Sequence, residues 1–390
     1  MKPTVPFSHR TSWSSHGNDL TRHLHSLRAA GHQLVDLTLS NPTRAGIHYP
    51  SDLLHPLADE ASLTYRAEPL GLASAREELA GWHRARGQRC SAARTMLTAS
   101  SSESYSYLFH LLADPGDEVL IPAPSYPLFS FLADLAGVRL RVYPLRYDGA
   151  WYIDLDALRA SVTERTRAIL VVSPNNPTGS CVQGHEAAAL RALACERGLA
   201  LISDEVFAAY PLGPRRIQGL GGDDSCLTFV LGGLSKLAGL PQLKLGWIFT
   251  SGPEPLVAAA LDRLETIADT FLSVATPVQQ ALPALLAASD LLGDQIRART
   301  RRNLAALREA LRGAPASVLD VEGGWSAVLQ LPATHPEEAW ISALLRRGVL
   351  VHPGHFFDFP REPFAVLSLL PPPEDFDEGV RRILQALAEG

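Results

Sequence analysis

The chain has 390 residues, of which 46% are hydrophobic and 19% are charged, and its formal net charge is −6 at pH 7. Such a chain can bury the core of two domains or of one large α/β domain. The acidic balance argues against a nucleic-acid surface, and no apolar run approaches the ~20 residues that a membrane-spanning helix needs. The polar N-terminus contains no apolar secretory segment, and four widely spaced cysteines without a C-x-x-C pair give no metal signal. We therefore expect a cytoplasmic protein without a membrane, nucleic-acid or metal partner.

The first part of the chain predicts a few short elements. Apolar residues at helical spacing predict a helix over residues 20–30, and alternating polarity predicts a strand over residues 34–39. The strand ends at a Ser-Asn-Pro-Thr sequence, which is typical of a turn. A second helix is expected over about residues 73–86.

From about residue 96 onwards, short apolar strands alternate with helices. The predicted strands cover residues 96–99, 118–121, 168–172, 199–203 and 228–231. The helices between them cover residues 103–112, 126–135 and 185–196. This alternation is typical of a mostly parallel sheet that is covered on both faces, in which ligands bind outside the carboxyl ends of the strands.

After about residue 275 the pattern changes to α+β. Helices are expected over residues 278–288, 294–311 and 377–388, with a strand pair over 318–331 and a strand over 365–370. We therefore predict an N-terminal arm that joins a small domain (1–50), a large domain (51–275) and a small C-terminal α+β domain (276–390).

The lysines are unusually few. Only three of the 35 basic residues are lysines, and two of them, Lys236 and Lys244, lie in one Gly- and Ser-rich segment. Arginine cannot replace lysine where a neutral primary amine must attack a carbonyl, because the guanidinium group keeps its proton. Lys236 is therefore a candidate Schiff-base nucleophile. The alternative is a solvated lysine beside a loop.

Polar residues follow four of the predicted strands. Three serines at 100–102 open a helix, where N–H groups and hydroxyls can bind phosphate, although serine is also an ordinary helix cap. Tyr126 can stack on a flat ring or simply pack. Asn176 lies in a turn, where its side chain can bond a ligand or its own backbone. Asp204 can be a helix cap, a metal ligand or the partner of a buried cation.

Taken in order, these motifs resemble the class I/II aminotransferases, which are pyridoxal-phosphate enzymes of fold type I. The resemblance runs from about Asp36 to the C-terminus. Its most specific parts are Asn-Asn-Pro-Thr-Gly at 175–179, Asp-Glu-Val at 204–206 and Ser-Lys at 235–236. It implies a three-layer α/β fold with a mostly parallel central sheet and a smaller α+β domain. It also implies pyridoxal 5′-phosphate as the cofactor and a homodimer with shared active sites.

The resemblance implies a role for each motif residue. Lys236 would form the Schiff base with the cofactor and then move a proton between substrate and cofactor. Asp204 would keep the pyridinium nitrogen protonated so that the ring accepts electrons, Asn176 would bond the ring oxygen, and Tyr126 would stack on the ring. The implied phosphate ligands are Ser100, Ser101, Ser102, Ser235 and, from the neighbouring subunit, Tyr65.

Several residues depart from the family pattern. Lys244 stands where arginine is usual, and we interpret it as a phosphate ligand that acts as a point charge. Phe207 replaces a tyrosine that donates to the ring oxygen, and Gly233 replaces a phosphate-binding serine. Val366 occupies the place of the arginine that binds the α-carboxylate of the substrate.

The missing arginine leaves two readings of the substrate. Either another cation, Arg44 or Arg361, binds the carboxylate, with Asn41 beside Arg44 as a further candidate substrate-binding residue, or the substrate has no carboxylate there. The leading interpretation is an aminotransferase that moves an amino group from an amino acid or amine to a keto acid. The alternative is a lyase, cyclase or decarboxylase with the same cofactor. A non-catalytic ligand-sensing domain is a third hypothesis, which the absence of a basic N-terminal DNA-binding segment disfavours.

Overall fold

A computed structural model describes residues 7–13, 22, 24, 26, 29, 31 and 33–390, except 214–216, 361–362 and 390. Most of the helix expected over residues 20–30 lies outside the described residues, and so does Arg361. The strands are β1 (Val35–Asp36), β2 (Thr95–Thr98), β3 (Glu118–Ala123), β4 (Arg139–Tyr147), β5 (Trp151–Ile153), β6 (Thr166–Val172), β7 (Ala200–Asp204), β8 (Thr228–Gly233), β9 (Gly246–Ser251), β10 (Ser317–Val318), β11 (Ser326–Gln330), β12 (Val349–Leu350), β13 (His352–Pro353) and β14 (Phe364–Ser368). The α-helices are α1 (Ala73–Arg84), α2 (Ser101–Leu112), α3 (Leu128–Ala136), α4 (Leu155–Ser161), α5 (Gly184–Arg197), α6 (Leu234–Leu237), α7 (Glu254–Asp269), α8 (Thr276–Gln280), α9 (Leu282–Ala310), α10 (Glu337–Arg346) and α11 (Pro373–Glu389).

A large sheet organises the middle of the chain. Its strand order is β2-β9-β8-β7-β6-β3-β4-β5. Neighbours from β8 to β4 pair in parallel, whereas β9 pairs antiparallel with β2 and β8, and β5 pairs antiparallel with β4. Strands β3, β6, β7 and β8 are almost entirely buried, as their continuous apolar sequences require when helices cover both faces. The predicted mostly parallel α/β sheet is confirmed.

Local side-chain bonds explain where predicted and observed elements differ. The expected strand over 34–39 stops after Asp36, because the Asp36 carboxylate accepts from the N–H of Thr38 (2.9 Å) and starts a turn. The two helices expected over 278–288 and 294–311 are largely one helix, α9. The polar break between them is accommodated because the Ser289 hydroxyl donates back to the Leu286 carbonyl (2.6 Å) while Leu292 stays buried.

A second sheet has the order β10-β11-β14-β13 and is antiparallel throughout. Alternate side chains of β14 point to opposite faces. Leu367 belongs to the hydrophobic cluster that contains Trp340 of α10 and Phe376 of α11, whereas Val366 belongs to the cluster that contains Leu120 and Tyr143 of the large sheet. The second sheet therefore turns its Val366 face towards the large sheet.

Two general features bear on the expected partners. Among the described residues, no helix combines the length and apolar composition needed to cross a membrane. The same part of the chain contains no cluster of three or more His, Cys, Asp or Glu side chains arranged to hold a metal ion.

Candidate active site

Three adjacent strand ends bring the predicted phosphate-binding segments together. Thr98 of β2 pairs with Gly246 of β9, which pairs on its other side with Gly233 of β8. One edge of the sheet therefore carries three predicted phosphate-binding segments: the serine turn after β2, helix α6 after β8, and Lys244 before β9. A Cβ atom on Gly246 would lie 3.1 Å from the carbonyl carbon of Ser100, so this close approach of two backbones favours glycine.

The three serines have different surroundings. Ser100 is the N-cap of α2, and its hydroxyl oxygen accepts from the N–H of Glu103 (3.2 Å). The Glu103 carboxylate in turn accepts from the N–H of Ala99 (2.6 Å), the residue before the cap, which adds a second side-chain bond at the start of the helix. The capping role is therefore present at Ser100, whereas Ser101 and Ser102 stand partly buried in the first turn, where unpaired N–H groups favour an anion.

Lys236 lies in the short helix α6, directly after β8. The Tyr210 hydroxyl donates to the carbonyl oxygens of Lys236 (2.6 Å) and Leu237 (3.0 Å), which fixes the backbone at the lysine. The Lys236 Nζ atom lies 5.1 Å from the ring centroid of Trp325 and 5.5 Å from that of Phe207. Burial lowers the pKa of the amine, and the charge of Asp204 opposes this shift. The site therefore favours the neutral, nucleophilic amine more than water does.

Asp204 ends β7 and is buried. Its Oδ1 atom accepts from the N–H of Val206 (3.0 Å), and its Oδ2 atom accepts from the hydroxyl of Tyr105 (2.5 Å). Burial raises the pKa of this carboxyl, while the two hydrogen bonds and the charge of Lys236 oppose the shift. The predicted amine and carboxylate thus interact electrostatically across adjacent strand ends.

The two asparagines of the 175–179 turn differ in burial and in their hydrogen-bond partners. Asn175 is buried and donates to the Pro124 carbonyl (3.0 Å) and to the Thr178 hydroxyl (2.9 Å), so it ties two turns together. Asn176 is only partly buried, and its Oδ1 atom accepts from the Ser326 hydroxyl at 3.4 Å. Of the two, Asn176 is therefore the one with a side chain beside the second sheet rather than inside its own turn.

The aromatic candidates differ in exposure. Tyr126 is 43% exposed and packs edge-on against Phe129. Partial burial raises the pKa of its phenol, and the nearby charge of Asp204 raises it further. A half-exposed ring beside the carboxylate fits the predicted stacking position. Tyr65 is 71% exposed and lines a surface pocket with Tyr107.

The candidate substrate cations are less well placed. Arg44 is exposed at the end of a one-turn 3₁₀ helix. Asn41 caps that helix, since its Oδ1 atom accepts from the N–H (3.1 Å) and hydroxyl (2.8 Å) of Thr43. Val366 is buried between Val328 and the register partner His352. Lys244 is exposed and has a left-handed backbone (φ 52°).

A family model, that of aminotransferase class I and II, matches residues 53–383. The chain belongs to the class I and II aminotransferase family. The expected family and fold are thereby confirmed, and membership identifies pyridoxal 5′-phosphate as the cofactor.

The similar proteins agree with this assignment. The chain is 27% identical over 273 residues to the glutamate-pyruvate aminotransferase AlaA of Escherichia coli, in a match that covers 67% of this chain and 65% of that protein. It is 26% identical to an alanine aminotransferase of Mycobacterium tuberculosis over 93% of this chain and 87% of the relative. The fold also matches an alanine aminotransferase of Pyrococcus furiosus (TM-score 0.90, 23% identity, 99% and 100% coverage). An aspartate aminotransferase of Thermus thermophilus with maleate is similar as well (TM-score 0.84, 24% identity, 98% and 100% coverage).

The residues present fit the cofactor of this aminotransferase family. A desolvated primary amine suits its aldehyde, and a buried carboxylate suits its ring nitrogen. The N-terminus of α2 and the adjacent Ser235 and Lys244 suit its phosphate. The indole N–H of Trp325 lies buried near Lys236 and has no hydrogen-bond partner among the described residues, which leaves a donor available at the site.

Sequence reasoning missed Tyr105, Tyr210, Trp325 and Ser326. Tyr105 and Tyr210 lie in ordinary helical or turn sequence and acquire their roles only through contacts across the fold. Trp325 carries the one usable signal, because it follows Gly323-Gly324 in the predicted strand pair.

Proposed function

We propose that the protein is a pyridoxal-phosphate-dependent aminotransferase that moves an amino group from an amino acid or amine to a keto acid, with Lys236 as the catalytic residue. The observation that carries this proposal is the Lys236 amine, whose pKa is lowered by burial, in electrostatic contact with the buried Asp204 carboxylate. Asp204 ends β7, and Lys236 lies in the helix that directly follows the adjacent parallel strand β8, at the edge where ligands of such sheets bind.

Each group has a definite task in this chemistry. When bound, the cofactor supplies an aldehyde for a primary amine and a ring that accepts an electron pair. Lys236 Nζ supplies the amine and afterwards takes the proton from the donor's α-carbon. Asp204 holds a negative charge for the ring nitrogen, Asn176 donates to the ring oxygen, and Tyr126 covers one ring face. The proposed phosphate ligands are Ser100, Ser101, Ser102, Ser235, Lys244 and the partner subunit's Tyr65.

The amino donor is the open part of this proposal. The relatives are named for alanine, for glutamate and pyruvate, and for tyrosine, which supports an amino acid and a keto acid as the substrates but does not determine the donor's side chain. The buried Val366 provides no charge on the second sheet, so we assign the substrate carboxylate to Arg44 or Arg361. The backbone of the Arg44 segment is fixed, because Arg299 donates to the carbonyls of Ala45 (2.9 Å) and Leu370 (3.1 Å).

We also propose a cytoplasmic homodimer with shared active sites. The exposed apolar side chains Leu63, Tyr65 and Phe271 support a subunit interface, since Phe271 stacks on Tyr107 beside the Tyr65 pocket. The four free cysteines suit a reducing compartment.

The large domain (51–275) would contain the eight-stranded sheet, and residues 1–50 and 276–390 would form the small domain.

One spectroscopic experiment tests the function. The absorbance of the purified holoprotein is followed while amino acids and amines are added without a keto acid. Conversion of the cofactor band to the stable pyridoxamine form, with the matching oxo product, establishes transamination and identifies the donor. A band that returns while product accumulates indicates the lyase, cyclase or decarboxylase alternative, for which Val366 leaves room. A protein that acquires no band with added cofactor contradicts the proposal.

A second experiment tests the shared sites. Lys236→Ala and Tyr65→Ala subunits are each purified and then mixed under exchange conditions. One site of the mixed dimer combines an intact Lys236 with an intact Tyr65, so mixing should restore activity. Activity no higher than the mean of the two separate variants would contradict the shared site.

A further inference from the structure

Tyr105 contacts the most important carboxylate of the site. Its hydroxyl is buried and donates to Asp204 Oδ2 at 2.5 Å, while Asp204 Oδ1 accepts from the N–H of Val206 at 3.0 Å. Two donors from different parts of the fold, helix α2 and the backbone after β7, therefore hold the two oxygens. Each oxygen keeps a further lone pair for a third donor.

The phenol of Tyr105 cannot easily turn away from this contact. Its ring packs edge-on against Phe129, with centroids 5.1 Å apart, and against Phe109 at 6.2 Å. Burial and the neighbouring charge of Asp204 raise the pKa of Tyr105 well above its usual value. Tyr105 is thus a neutral donor throughout the working pH range.

Helix α2 connects this donor to the predicted phosphate end. Ser101 and Tyr105 are four residues apart, so they lie one above the other on the same helix face, one turn apart. A single rigid element therefore sets the spacing between the N–H groups of its first turn and the hydroxyl that orients Asp204. Phe207 has no hydroxyl that could donate to the ring oxygen, so the charge of Asp204 gains importance for the ring.

We propose that Tyr105 is a positioning residue that keeps Asp204 ionised and thereby keeps the proton on the ring nitrogen of the cofactor. This inference rests on the proposed function. A hydrogen bond to the charged form of a carboxyl favours that form, whereas burial alone favours the neutral form. Without the phenol, Asp204 would compete for the ring proton, and the ring would withdraw less electron density from the carbon–nitrogen bond to Lys236.

The test is a pH titration of the visible cofactor band in the holoprotein. In Tyr105→Phe the midpoint should rise by about one pH unit, a tenfold change in proton affinity, because the less electron-poor ring leaves the imine nitrogen more basic. Tyr143→Phe is the matched control, since it also removes a buried hydroxyl, but one that donates to the Leu170 carbonyl (2.8 Å) and not to Asp204; its midpoint should equal that of the wild type. A Tyr105→Phe midpoint equal to the wild-type value would overturn the inference.

Two further measurements separate this role from a structural one. In an Asp204→Asn background, Tyr105→Phe should cause no additional shift, and an undiminished shift would overturn a role through Asp204. Site-specific fluorotyrosine at position 105 keeps the ring and strengthens the donor, so it should move the midpoint downwards even if Tyr105→Phe folds poorly; an unchanged midpoint would count against the inference. A wild-type protein without any cofactor band would overturn both this inference and the proposed function. If the wild-type band titrates with pH but the Tyr105 variants have the same midpoint, only the inference is overturned.

Discussion

Replacing Gly179 by alanine would disturb the turn that presents Asn176. Gly179 has a left-handed backbone (φ +69°), and an added Cβ atom would lie 2.6 Å from the Gly323 carbonyl oxygen and 2.6 Å from Val321 Cγ1. The Gly179 carbonyl also accepts the N–H groups of Glu322 (3.1 Å) and Gly323 (3.0 Å). The overlap therefore falls on backbone that is already held by hydrogen bonds.

The expected loss of free energy of unfolding in Gly179→Ala has two parts. The left-handed conformation costs an alanine roughly 1–2 kcal/mol, and overpacking of a buried contact costs roughly 1–3 kcal/mol more. Gly198→Ala isolates the first part, because Gly198 has a similar φ of +64° but no atom of the described residues lies within 4 Å of the added Cβ position. We therefore expect Gly179→Ala to lower the free energy of unfolding by about 1–3 kcal/mol more than Gly198→Ala.

The assay is urea denaturation of the two cofactor-free variants beside the wild type, with the dissociation constant of pyridoxal 5′-phosphate measured on the same preparations. Gly179→Ala should also weaken cofactor binding, since relief of the overlap moves Asn176 away from Ser326. Equal losses of stability in the two variants would refute the overlap argument. Equal cofactor affinities would refute the claim that this turn positions Asn176.

Three further predictions concern single side chains of the site. Lys236→Ala should leave the far-ultraviolet circular dichroism unchanged but lose the Schiff-base spectrum, and an unaltered Schiff-base spectrum would exclude Lys236 as the attachment residue. Ser100→Ala should lower the free energy of unfolding of the cofactor-free protein by about 1 kcal/mol through loss of the N-cap. Ser101→Ala should mainly weaken binding of the cofactor phosphate. Denaturation and cofactor titration of both variants test this difference, and equal behaviour of the two variants would contradict it. Because burial lowers the pKa of Lys236, the unfolded chain binds more protons than the folded one between that lowered pKa and about 10.4. The free energy of unfolding of the cofactor-free wild type should therefore rise relative to Lys236→Met between pH 7 and pH 10, and a difference that does not change with pH would contradict the buried amine.

Local sequence was sufficient for much of the large sheet. Strands β3, β6, β7 and β8 are apolar along their whole length because both faces are covered, so they stand out from the helices between them. The pattern failed for β4, whose alternating exposed residues include Arg139 and Arg141. It also failed for β9, a fully buried strand that follows the lysine segment without a separate signal.

The predicted site residues are those at chain reversals. Ser100, Asn176, Asp204 and Lys236 each follow or end a strand, and a polar residue at such a position contrasts with the apolar strand before it. Their mutual approach then follows from the parallel register, which aligns the carboxyl ends of neighbouring strands. Their proximity could therefore be predicted without knowing any side-chain contact, whereas their proposed roles rest on the family resemblance.

Residues inside regular elements gave no such contrast. Tyr105 and Tyr107 are both buried tyrosines of α2, and their sequence surroundings are almost the same. Only the docking of α2 on the large sheet directs one hydroxyl to Asp204 and the other ring to Phe271. The role of a helical residue depends on what the helix packs against, and that is a property of the whole fold. The same helix thus has a proposed anion-binding end that its sequence predicts and, one turn later, a donor to Asp204 that only the assembled structure reveals.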